Sequence, residues 1–123
     1  MRVANKFPKS SIRLGEIAFA RSGDKGSSAN VAIFATSKRN YQLLHLVLTA
    51  AVVERYFKPL GVGKVVRYEV PHLQAFNFIL PDILAGGGSR SLRIDSQGKT
   101  LGQVILELKI LVPKISQVKK RKR

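Results

Sequence analysis

The feature that most restricts the fold of this chain is a double change of hydrophobic period, from two to 3.6 residues and back. From Ile12 to Arg21, Ile17 and Phe19 share one parity and the small Ala18 and Ala20 the other, which predicts a strand packed on at least one face. Ala29 to Ala35, with Val31, Ile33 and Phe34, is almost wholly apolar, as a central strand would be; the two strands should form a hairpin across a generous polar loop. From Tyr41 the pattern turns helical: Gln42, His45 and Thr49 line a polar stripe among Leu43, Leu44, Leu46, Val47 and Leu48. The apolar set then rotates to Ala50, Val53 and Phe57, predicting a kink or a second helix capped by Thr49, ended by Pro59, Gly61 and Gly63.

Alternation returns in Val66, Tyr68 and Val70, closed by Pro71, and again in Phe76, Phe78 and Leu80. Gly86 to Gly88 should turn the chain into a further strand around Leu92 and Ile94. Leu101, Val104, Ile105 and Leu108 fit a helical face, while Leu106, Leu108 and Ile110 alternate, so a short helix followed by a short strand is expected. Hairpins interrupted by helices on these spacings define an α+β two-layer domain, a mainly antiparallel sheet with helices on one face.

Length allows one such core, since 123 residues leave no room for a second. The formal charge of +15 would suggest a polyanionic partner, but its placement weakens that reading. Ile12 to Leu108 holds 12 of the 22 basic residues and all 7 acids, an ordinary surface balance. The rest lies at the ends, among them Lys119, Lys120, Arg121, Lys122 and Arg123, where like charges repel and stay solvated. The expected organisation is a basic flexible lead over 1–11, the domain over 12–112, and a basic flexible tail over 113–123.

The absence of cysteine excludes disulfides, thiolate nucleophiles and Cys-based metal sites. With only His45 and His72 for imidazole ligands, far apart, no metal and no cofactor is expected. No run of 18 apolar residues occurs, so no membrane span is expected and a cytoplasmic location is.

The segment Arg21-Ser22-Gly23-Asp24-Lys25-Gly26-Ser27-Ser28, with Asn30, is the strongest candidate for chemistry. Its glycines let backbone N–H groups converge on an anion, with Arg21, Lys25 and hydroxyls as further donors. The competing reading is a hairpin turn in which Asp24 takes backbone N–H bonds and pairs with Arg21 or a neighbouring arginine. Asn77, between Phe76 and Phe78, needs hydrogen-bond partners if its face is covered. Arg90 and Arg93, after the triple glycine, could add positive charge. No paired carboxylates occur, and His45 and His72 read as an ordinary helix and an ordinary loop histidine.

These residues resemble a known family. Arg21 to Gly26 with Asn30, Leu48-Thr49 followed by Val53 and Tyr56-Phe57, Arg67-Tyr68-Glu69-Val70-Pro71, Ala75 to Phe78, Gly86 to Gly88, and Ser91 to Asp95 with Gly98-Lys99 run in the order of the C-terminal domain of acyclic terpene utilisation A-like proteins. The resemblance covers roughly 12 to 108 and implies a ferredoxin-like α+β fold, as well as a context in bacterial breakdown of acyclic terpenes through CoA thioesters. In that family the small domain usually follows a much larger one, which implies a larger partner subunit, or self-association, for this chain. Ser27, where Asp or Asn is more usual, and the basic tail depart from the pattern.

Three functions follow as expectations. The first is an accessory domain or small subunit of a larger protein of that type, with Arg21, Asp24, Lys25, Asn30, Asn77, Arg90 and Arg93 at an interface or anion site. The second is a small CoA-ester enzyme that grips phosphate with the Arg21 to Ser28 loop. The third is weak nucleic-acid binding through Lys119 to Arg123. Whether the chain is itself an enzyme stays open between the first two.

Overall fold

A computed structural model describes residues 9–84 and 100–113. The expected turn at Gly86 to Gly88, the strand around Leu92 and Ile94, Arg90, Arg93 and the basic tail lie outside the described residues.

The described elements run β1 (Lys9–Arg13), β2 (Ala18–Lys25), β3 (Ser28–Ala35), α1 (Lys38–Val47), α2 (Ala50–Phe57), β4 (Val66–Val70), β5 (Ala75–Leu80), α3 (Leu101–Ile105) and β6 (Lys109–Pro113). They form a four-stranded antiparallel sheet of order β2-β3-β5-β4 and a separate ribbon of β1 and β6. β5 lies antiparallel between β3 and β4, so β3, the two helices and β4 make a split β-α-β unit. The α+β architecture is the one the alternating periods predict.

The first predicted strand is in fact two. A 3-10 turn over Leu14–Glu16 breaks it, because Gly15 donates to the Leu106 carbonyl at 2.9 Å and lies against that residue. The chain before the turn pairs with β6 instead of continuing β2, and Lys9 to Ser11, counted with the lead in the sequence, are paired strand. The expected generous loop of the first hairpin is also absent. β2 and β3 stay paired down to Lys25 and Ser28, leaving only Gly26 and Ser27 in the turn. Gly26 has φ 63°, the first-position requirement of a type II′ turn that a side chain would strain.

α1 starts at Lys38, three residues before the helical pattern was expected from Tyr41, and α2 starts at the expected cap Thr49; both starts form by the same device. Ser37 Oγ accepts from the Asn40 N–H at 3.0 Å, and Thr49 Oγ1 from the Val52 N–H at 3.2 Å. Thr49 thus starts a second helix rather than kinking one. The inner face of the sheet, with Val31, Ile33, Phe76, Phe78 and Leu80 fully buried, packs in one core with Leu44, Val53, Phe57 and Ile105 from the three helices and with Leu48 from the break between α1 and α2. α3 closes over β2, where the Gly102 N–H donates to Ser22 Oγ at 3.1 Å. The predicted final helix and strand are α3 and β6. No described helix is long and apolar enough to cross a membrane.

Candidate functional site

Strand parity divides the segment that the sequence singled out. On β2, Ser22 shares the inner face with Val31, to which it is paired, and its hydroxyl is spent on α3. Asp24 shares that parity, whereas Arg21, Gly23 and Lys25 stand on the outer face. The ion pair between Asp24 and Arg21 therefore does not form, and the N–H groups of this segment alternate along a paired strand rather than converging on an anion. Asn30 on β3 and Asn77 on β5 are also on the outer face, where Asn30 Nδ2 donates to Asn77 Oδ1 at 3.0 Å. Gly23 lies opposite Asn30, and a Cβ there would stand 3.3 Å from Asn30 Oδ1. The glycine thus leaves room for the amide pair.

The registers arrange the outer face in three rows running across β2, β3, β5 and β4: Phe19, Phe34, Ala75, Val70; then Arg21, Ala32, Asn77, Tyr68; then Gly23, Asn30, Ile79, Val66. The rows hold no acid and one cation, Arg21, with Lys25 just beyond. No described helix packs against them, so large apolar side chains meet solvent: Phe19 is 50% exposed, Tyr68 56% and Val66 41%. Phe19 and Phe34 stack with ring centroids 5.5 Å apart. A rigid sheet face carrying aromatics, one arginine and a central amide pair has the composition of a contact surface.

Of the residues proposed from the sequence, the structure thus gathers Arg21, Gly23, Lys25, Asn30 and Asn77 on one face. It turns Ser22 and Asp24 to the other, places Gly26 in the turn, and does not describe Arg90 or Arg93.

The sequence reading missed the centre of a second cluster, Arg67. Its Nη1 donates to the carbonyls of His45 at 3.1 Å and Leu48 at 2.9 Å, at the C-terminal end of α1. Its Nη2 bonds Glu69 Oε2 at 3.1 Å, and its guanidinium lies 4.9 Å from the Phe76 ring centroid. Glu69 also meets His45 Nε2 at 3.0 Å. Arg67 thus satisfies carbonyls that a helix end leaves open and joins the break between α1 and α2 to β4. Period two around Tyr68 was the available signal: it sets Arg67 and Glu69 opposite Tyr68, on the face where the helices pack. Among the described residues no group of three His, Asp or Glu side chains could hold a metal.

Comparison with known proteins gives one match. The model of the AtuA ferredoxin-like domain covers residues 12–111, which takes in the four-stranded sheet, every described helix and the inner part of the β1–β6 ribbon. No curated protein and no solved structure matches the chain. With the matched stretch spanning most of its length and the split β-α-β sheet at its centre, the chain belongs to the AtuA ferredoxin-like domain family.

Proposed function

We propose that this chain is an accessory unit that associates with a larger AtuA-like protein, and that the assembly works in the catabolism of CoA esters of terpenoid or branched acids. The observation that carries the reading is the outer face of the sheet, against which no described helix packs. Its rows combine Phe19, Phe34 and Tyr68 with Arg21, residue types enriched at protein interfaces relative to the rest of the surface. The absence of acids from the rows leaves a weakly positive, mostly apolar surface suited to a partner with an apolar patch and a few carboxylates. Family membership supports the identity of the partner class.

Tagged chain purified from its native cells should bring down a larger AtuA-like chain. A Phe19→Asp, Tyr68→Asp double variant, altered only at exposed positions, should lose that chain while melting within a few degrees of the parent. A parent that elutes alone at the monomer position would refute the association. Capture unchanged in the double variant would refute the face.

A further inference from the structure

Helix α2 separates two concavities that the sheet face does not share. On one side, a groove of about 500 Å³ lies between α2, the end of α1 and β6, walled by Val47, Val52, Tyr56, Leu108, Ile110 and Leu111. The Tyr56 hydroxyl donates to the Val104 carbonyl at 2.8 Å, which ties up the one polar group of those six side chains. On the other side, a cleft of about 570 Å³ is lined by Ala50, Ala51 and Val65 together with Arg55, Lys58 and Lys64. The one acid among its described lining residues, Glu54, accepts from the Val65 N–H at 2.9 Å. Arg55 borders both spaces, and Lys109 adds a second cation to the groove. None of these four cations makes an ion pair with a described residue.

An apolar groove joined at one arginine to a cleft with three cations asks for a ligand of the same two-part character. The groove is of small-molecule size, and an apolar lining with few charged groups is how such sites hold hydrocarbon. Clustered Lys and Arg beside small residues suit phosphates, which the alanines allow to approach the helix closely. We infer that α2 carries a bipartite binding site for a single-chain acyl group on a phosphate-bearing head, a molecule of the acyl-coenzyme A type. The chain lies in the groove, the phosphates sit on Lys58 and Lys64, and Arg55 bridges the two. The inference rests on the CoA-ester part of the proposed function and is independent of the docking face. It moves the anion site from the Arg21 to Ser28 hairpin, whose turn is two residues long, to helix α2.

Calorimetric titration of the full chain with decanoyl-CoA, CoA, decanoate and anionic phospholipid vesicles tests it. Decanoyl-CoA should bind at least tenfold tighter than CoA or decanoate. Lys58→Glu with Lys64→Glu should abolish CoA binding and reduce decanoyl-CoA to the affinity of decanoate. Leu111→Asp, at a position 60% exposed, should do the reverse, reducing decanoyl-CoA to the affinity of CoA. Arg55→Glu should weaken both parts. Equal binding of decanoyl-CoA and CoA would overturn the proposal, as would lysine variants that bind normally. Binding to vesicles but not to monomeric decanoyl-CoA would assign the surface to lipid and overturn it too. The Phe19→Asp, Tyr68→Asp variant should bind decanoyl-CoA like the parent, so loss of the partner and loss of the ligand are read separately.

Discussion

The two faces of the four-stranded sheet are built from alternate residues of the same strands, yet they meet different fates. Inward, Val31, Ile33, Phe76, Phe78 and Leu80 are fully buried under the helices; outward, Phe19, Tyr68 and Val66 stand in solvent. β3 shows the contrast most clearly. Its near-continuous apolar run fits the central strand it forms between β2 and β5, yet only its odd positions are buried. The even positions Ala32 and Phe34 are apolar as well but only partly buried. The difference teaches that burial commits the inner face to stability, while the outer one is left to serve the proposed association.

That division can be broken by mutation, starting with the largest expected effect. Phe78→Ala should cost about 3–5 kcal/mol in chemical denaturation, the usual range for truncating a fully buried phenylalanine. Arg67→Ala removes the donor from two helix-end carbonyls and should cost about 1–3 kcal/mol. The loss should appear as faster hydrogen exchange at the end of α1 and the start of α2. Tyr56→Phe removes one hydrogen bond, about 1 kcal/mol, and should also change the alkaline limb of stability.

Burial, helped by the charge of Glu107, raises the Tyr56 pKa above 10.0. The unfolded chain then gives up this proton before the folded one does, so the contribution is intact below pH 10 and declines as pH rises beyond it. Melting curves from pH 9 to 11 should show the parent losing more stability than the phenylalanine variant. The smallest effect on folding should come from the outer face. Tyr68→Ser should change stability by less than about 0.5 kcal/mol while weakening partner capture. A cost comparable to that of Phe78→Ala would show that the outer face is folded core, and the comparison would fall.

Much of the fold was legible because its signals are local. Thr49 caps the helix whose start it marks, and period two sorts Phe76, Phe78 and Leu80 inward. What could not be read depends on distant chain. The break at Leu14–Glu16 is made by Leu106, some ninety residues away, through a backbone bond and a close approach to Gly15. Arg21 to Lys25 reads as loop because polar and glycine residues usually mark one; here they line an edge strand whose side chains lie mostly in water. The amide pair of Asn30 and Asn77 joins two residues that the sequence singled out separately, and only the β3–β5 register brings them into contact. Arg67 was visible only as part of a motif, since its partners on α1 belong to another element.

The β1–β6 ribbon has a mechanical consequence. Lys9 pairs with Pro113, so the two ends of the described domain leave from the same rung of an antiparallel ladder. A force applied between those ends does not shear the ladder; it loads one rung at a time, from Lys9–Pro113 towards Arg13–Lys109. The ribbon should therefore unzip at low force while the four-stranded sheet, with its helices and its open face, stays outside the load path until the last rung has parted.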